Sequence, residues 1–340
     1  MMKFIPAITS LFILNKRVSD SHPCFNRNIA TDYTKEKELY MTITAAILIF
    51  ISVFMHVAWN MLSKTTTPST AFYLIMNFIG GIIWLPFFLM SSSVFTGLPA
   101  VFYWLWAGSV ASEVLYMYGL AHGYKHGDIS LIYPLVRAFP VVMLAVITLI
   151  AGIGKPLGIP ALIGMIIIAA GCVIMPFRSF RHISFKGLNT TALVFIILGA
   201  IGTTGYTLCD SQALKQIADG EKVSNTCTLG YLFLIQMGLS LGEVPLVIFD
   251  PTERIALRKF WGKAFFYPAA AGVFCTGAYA LILIAMQHVS NVSFIQAFRQ
   301  LSLPLGFIAG VCFLHEKNSN TKTIGMLLLL AGLLIVSFFK

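Results

Sequence analysis

The chain has 340 residues, 58% hydrophobic and only 11% charged, against about 25% charged in an average soluble domain. That composition excludes a water-soluble globular protein. The formal net charge of +10 does not imply a nucleic-acid partner, because the basic residues lie in loops and tails beside apolar segments rather than gathered on one face.

In chain order, residues 1–40 come first and stand apart. They open with MMKFIPAITSLFILNKR and continue through a polar stretch, with a short apolar piece and no A-x-A cleavage site. They read as an N-terminal extension, either disordered or the product of an upstream start, since Met41 opens the first long apolar segment directly.

Ten apolar segments follow, at about 42–63, 69–90, 100–121, 129–151, 158–176, 190–210, 226–249, 265–287, 291–314 and 323–339. Helices of about 17–25 apolar residues cross the ~30 Å hydrocarbon core. Short polar or helix-ending joins separate them, such as TTTPS (65–69), GIGKPLG (152–158) and HEKNSNTK (315–322). The expected fold class is therefore an all-α integral membrane protein with ten transmembrane helices.

Several spans carry polar residues that an apolar helix does not need. The first has His56, Asn60 and Lys64 at i, i+4 and i+8, with Trp59 beside them. The third carries Glu113. The fourth follows HGDISLIYPLVR and places Tyr133 and Arg137 between or beside Pro134 and Pro140; the sixth has Thr203, Thr207, Asp210 and Ser211. Glu243 precedes Pro245 near a segment end and reads as interfacial. The ninth follows HVSNVSFIQAFR, with Gln296, Arg299 and then Pro304.

The two His-to-Arg segments belong to a longer correspondence. GMIIIAAG (164–171) is echoed by GMLLLLAG (325–332), and each arginine precedes its block at nearly the same distance. Duplication explains this order better than coincidence. Five spans per half then invert the second half relative to the first, an arrangement recurrent in carriers. The expected organisation is a first five-helix repeat at 41–177, a basic linker at 178–189 and a second repeat at 190–340.

HVAWNMLSK (56–64), YKHGDISLIYPLVR (124–137), FIQAFRQLS (294–302) and FLHEK (313–317) together resemble the EamA-like, ten-helix branch of the drug/metabolite transporter superfamily. The resemblance covers about 41–340. It implies two inverted EamA-like repeats and secondary, ATP-independent transport of small organic metabolites by alternating access through a central cavity. A multi-pass protein of the plasma (inner) membrane in contact with lipid is also implied. The chain departs from the family where GIGKP follows the fourth helix, a place where members often carry an acidic residue; Glu316 is kept after the ninth.

Ionisable residues inside membrane helices usually face a bundle interior or aqueous cavity. The candidate substrate-binding residues are accordingly His56, Trp59, Asn60, Tyr133, Arg137, Gln296 and Arg299, and a cation there favours a carboxylate-bearing cargo. Counting outward from the turn near residue 125 puts Glu113 at the depth of Arg137, so an ion pair is expected, leaving Arg299 freer to meet cargo. At the mirrored depth beside Arg299 stand Tyr279 and Ala280. Glu113 and His56 are candidates for proton coupling as well as ion pairing.

Cysteines 24, 172, 209, 227, 275 and 312 have no metal-ligand spacing, and no cofactor motif is legible. His315-Glu316 lacks the second histidine of H-E-x-x-H, and no nucleophile elbow or Walker A loop occurs. An enzyme, in particular one modifying lipid, is therefore not expected; a non-transporting sensor or interaction protein is the other reading of such a fold. Glycine spacings such as G306-x-x-x-G310, G238-x-x-x-G242 and G199-x-x-G202-x-x-G205 allow close helix packing and also a homodimer.

Loop charge and resemblance disagree on orientation. Loops after odd-numbered helices hold eleven Lys/Arg and the other side four, or ten once residues 1–40 are counted. The loops alone put the termini outside; the family arrangement puts them in the cytoplasm.

Overall fold

The computed structural model describes residues 41–64, 66, 69–126, 129–177, 190–218, 223–262, 264–314 and 319–338. The extension at 1–40, the linker at 178–189 and His315 to Asn318 lie outside the described residues. The described residues form helices with no strand, as a chain without water to solvate its backbone must. They are α1 (Ile43–Lys64), α2 (Thr70–Ile82), α3 (Leu85–Thr96), α4 (Ala100–His126), α5 (Ile129–Ala151), α6 (Ile159–Ile174) and α7 (Thr190–Ile217). After them come α8 (Asn225–Phe249), α9 (Pro251–Phe260), α10 (Phe266–Met286), α11 (Val292–Phe298), α12 (Ser302–Leu314) and α13 (Asn320–Phe338).

Every expected segment falls in a helix or a broken pair, but the count of membrane spans is coarser. Six helices are long and apolar enough to cross a membrane, or seven if the bent pair α2 and α3 is one span. That pair bends by 74°, just ahead of Pro86, which lacks a donor and crowds the preceding turn. The ninth segment also breaks: α11 passes through a 3-10 turn at Arg299–Leu301 into α12, with Pro304 directly after. Pro134 and Pro140, by contrast, lie within one helix.

Sequence reading passed over α9 because it is polar. Its signals were nonetheless present: Asp250 caps it by accepting from the Thr252 N–H at 2.8 Å, Pro251 starts it, Glu253 is in the first turn, and Arg258 and Lys259 are in the last. The Thr252 hydroxyl and N–H hold the Asp250 carboxyl below its ordinary range. Ser69, Ser224 and Asn291 cap α2, α8 and α11 in the same way.

Packing joins first-half helices to second-half helices. α1 lies on α10, α2 on α8, α4 on α7, α5 on α11 and α6 on α13. Small residues permit the closest crossings. A Cβ on Gly164 would stand 2.8 Å from the Gly332 carbonyl oxygen, and one on Gly171 would stand 2.6 Å from that of Gly325. The echoed blocks GMIIIAAG and GMLLLLAG are therefore the faces along which α6 and α13 cross, running antiparallel. Gly119 and Gly202 serve the α4–α7 crossing, where a Cβ would meet the Gly199 nitrogen at 2.8 Å and the Ser112 carbonyl at 2.5 Å. Gly238 sits against Val110; Gly306 has no described neighbour within 4 Å.

The surface carries many large hydrophobic side chains. Ile150, Phe249, Trp104 and Leu241 are 72–84% exposed, whereas Glu113, Arg137, Asp210 and Arg299 are at most 9% exposed. Polar groups inside and large hydrophobics outside are what a lipid solvent selects. The protein is a multi-pass integral membrane protein.

Candidate functional site

α1, α2, α4, α7, α8, α10 and the break after α11 enclose a chamber of about 40 Å³. A water needs about 10–15 Å³ of such volume, so it holds roughly three. This is water-sized space in the place where the resemblance implies a central cavity. Contacts between the halves lie near both ends of the bundle. At one end Glu253 accepts from Lys125 at 2.6 Å and from the Ala71 N–H at 2.9 Å. At the other, Asn291 donates to the carbonyls of Ile153 (3.2 Å) and Lys155 (3.0 Å), and the Lys155 N–H donates to the Ser290 carbonyl at 3.0 Å. Gly154, at φ +77°, allows this approach: a Cβ there would stand 2.5 Å from the Ser290 oxygen.

Glu253 is 2% exposed and serves two donors, while Lys125 is 33% exposed. Glu253→Ala is expected to cost about 1–3 kcal/mol through the orphaned Ala71 N–H, and Lys125→Ala about 1 kcal/mol or less. Thermal unfolding in detergent ranks the two; equal losses would contradict this placement.

Arg137 and Arg299 both point inward but meet different surroundings. Arg137 donates through Nη2 to the Arg299 backbone carbonyl (2.8 Å) and to Ser302 Oγ (3.0 Å), and through Nε to Gln300 Oε1 (3.3 Å). It therefore braces the 3-10 turn, adding a charged donor to the Arg299 carbonyl, which also accepts from the Ser302 N–H and from its hydroxyl at 2.9 Å. Its Nη1 is 2.7 Å from His56 Nε2, and its guanidinium lies 5.6 Å from the Tyr133 ring.

The expected Glu113–Arg137 ion pair is not formed. Among the described residues the one ion pair is Lys125–Glu253, and Glu113 Oε2 has no hydrogen-bond partner. Equal depth along a hairpin does not make neighbours: α4 packs chiefly on α7, and α5 on α6 and α7. Glu113 instead opens onto the chamber, which it shares with Arg299.

Arg299 is 9% exposed and has no carboxylate within ion-pair distance among the described residues. Its Nη1 donates to Tyr206 Oη at 3.2 Å, and its guanidinium stands 5.9 and 5.8 Å from the Tyr206 and Tyr279 rings. Behind them Asp210 accepts from Tyr279 and, at 2.8 Å, from Tyr231. Tyr279 thus occupies the place that hairpin counting assigned it. Cation–π contacts hold the guanidinium while leaving most of its five donors unspent.

His56 and Trp59 also line the chamber, and Trp59 Nε1 donates to His56 Nδ1 at 3.0 Å. A neutral imidazole has one acceptor nitrogen, so it cannot satisfy Trp59 and Arg137 together. A protonated one would face two N–H donors with the Tyr133 hydroxyl, at 3.2 Å, as its one acceptor. These surroundings favour Glu113 over His56 for any proton uptake. Asn60 turns to its own helix, donating to the His56 carbonyl at 2.7 Å, and does not line the chamber. Neither does Gln296, which is 2% exposed with Oε1 unpartnered among the described residues.

Several participants escaped sequence reading. Glu243 is fully buried rather than interfacial, receiving both Asn77 Nδ2 contacts at 3.0 and 3.1 Å. Asn77 is the sole amide of its span, a signal that was available. Tyr206, Gln236, Gln300 and Ser302 looked like ordinary helix residues. Thr203 and Thr207 bond back to their own helix at 2.9 and 2.7 Å, which argues for packing rather than a ligand.

No curated protein matches the sequence. Among 29 matching solved chains, one described as "Crystal structure of protein" superposes with a TM-score of 0.63 at 13% identity, over 86% of this chain and 97% of that one. That likeness is one of fold alone. The model of the EamA-like transporter family matches residues 190–338, from the start of α7 to the end of α13. Over this second half the chain is similar to the EamA-like transporter family, consistent with the drug/metabolite transporter superfamily.

Proposed function

We propose that the protein is a secondary carrier of small, carboxylate-bearing organic metabolites, working by alternating access between two inverted five-span repeats, at 41–177 and 190–340. The observation that carries this reading is Arg299: a buried guanidinium at a helix break, held by aromatic rings, facing a chamber and lacking a carboxylate partner among the described residues. Burying such a charge costs several kcal/mol unless something pairs it, and a cargo carboxylate is the partner that fits. Arg137 and His56 stand behind it as the brace of the break.

The antiparallel meeting of the two glycine blocks, and the pairing of first-half with second-half helices, support the inverted repeat. A twofold exchange of spans one to five with six to ten carries the α1–α10 contact onto the α4–α7 contact. In this reading the Glu253 contacts part in one step of the cycle and the Asn291 contacts in the other. No enzymatic step is needed for this account, and a homodimer is not required by it.

A thermal-shift screen with matched pairs tests the cargo class. Carboxylate metabolites are expected to raise Tm, and their uncharged amides to do so far less. Equal stabilisation by acid and amide would overturn Arg299 as the cargo anchor.

A further inference from the structure

The chamber wall opposite Arg299 carries acceptors with no donors. Glu113 Oε2, Asn77 Oδ1 and Gln236 Oε1 are buried and without a hydrogen-bond partner among the described residues, and all three side chains line the same chamber. Their residues are 5%, 0% and 4% exposed. The Asn77 orientation is set by its neighbour, because its Nδ2 points at both Glu243 oxygens and the amide oxygen must then face away. A buried oxygen without a donor is costly, so three on one small chamber call for water or for a ligand that meets them with positive charge.

One carboxyl and two amide oxygens suit a monovalent cation. A proton would occupy only the carboxylate, whereas a metal cation takes carboxyl and amide oxygens alike. Oxygen donors without sulfur or imidazole suit a hard cation, and no group of three or more His, Cys, Asp or Glu is placed for a transition metal among the described residues.

We propose that Glu113, Asn77 and Gln236 form a sodium site on the chamber wall, completed by water. The coupling role rests on the carrier reading; the site itself does not. While Glu113 is bare, its charge competes with cargo for Arg299 across the shared chamber; sodium neutralises Glu113 and releases Arg299 to the cargo carboxylate. Sodium and cargo then bind with mutual assistance, which is symport.

Radiosodium binding to the purified full-length protein, with no cargo present, is the test. Saturable binding is expected in wild type, with a parallel rise in Tm in sodium chloride but not in choline chloride. Both responses should be lost in Glu113→Gln and Gln236→Leu, while each variant keeps its unfolding transition in choline. Absence of saturable sodium binding to wild type overturns the proposal, needing no variant, and so does binding retained in both variants. A Tm that follows pH but not sodium also overturns it, in favour of a proton alone. Flux separates site from carrier: cargo uptake equal in sodium and choline overturns the coupling and leaves the carrier, whereas sodium binding without any cargo flux supports the site and removes the carrier.

Discussion

Arg299→Ala is expected to abolish cargo transport in proteoliposomes while leaving the protein folded, and Arg137→Ala to lose folded protein first. The difference follows from what each guanidinium touches. Arg299 donates to one tyrosine hydroxyl and sits beside two rings. Removing it discards a costly buried charge and leaves no backbone group orphaned, so Tm should change by about 1 kcal/mol equivalent or less, or even rise. Charge-assisted bonds to a carboxylate contribute about 1.5–3 kcal/mol, so cargo affinity should fall roughly 10- to 150-fold. Arg137 supplies the Arg299 carbonyl, Ser302 and Gln300. Its loss leaves Gln300 Oε1 without its donor, at about 1–3 kcal/mol, and strips the charge-assisted bonds from Ser302 and from the Arg299 carbonyl, which keeps the Ser302 hydroxyl and N–H. Tm and flux measured on both variants decide the matter; a stable Arg137→Ala or an active Arg299→Ala would reverse the assignment.

Gly171→Leu is expected to be the most destabilising change away from the chamber. Its Cβ would stand 2.6 Å from the Gly325 carbonyl oxygen and 2.8 Å from the Leu329 nitrogen. Both are backbone atoms of α13 and cannot rotate aside, so the two helices must separate along the whole crossing. Overpacking costs about 1–3 kcal/mol when side chains yield, and more is expected where only backbone is available. Gly306→Ala is the control, with no described atom within 4 Å, and should lower Tm little. Detergent thermal unfolding of both variants checks the crossing; a Gly171→Leu protein as stable as wild type would mean that α6 and α13 do not meet there.

Apolar run length made the helical segments legible, and the echoed glycine blocks made the α6–α13 crossing legible because those glycines have a strict steric role. Breaks were harder to read. Pro86 and Pro304 end their turns, whereas Pro134 and Pro140 are absorbed within α5, so proline alone does not locate a break. At the site, the arginines stood out because charge is rare in such helices. Their partners did not, since hairpin counting yields depth along a helix and not the direction a residue faces. Glu113 and Arg137 share a depth yet face different neighbours, because α7 rather than α5 is the main support of α4. Asn77 and Gln236 drew little notice for the same reason: amides acquire meaning when helices distant in sequence bring them to one chamber, with Glu243 behind Asn77.

Counterflow in sealed proteoliposomes tests the central claim most directly. A carboxylate metabolite that stabilises the purified protein should enter vesicles faster when they are preloaded with unlabelled cargo, because a loaded carrier returns by exchange. Acceleration of this kind in wild type, absent from Arg299→Ala, is the predicted result. Saturable binding of the same metabolite with no exchange across the membrane would contradict a carrier and leave a ligand-binding membrane receptor in its place.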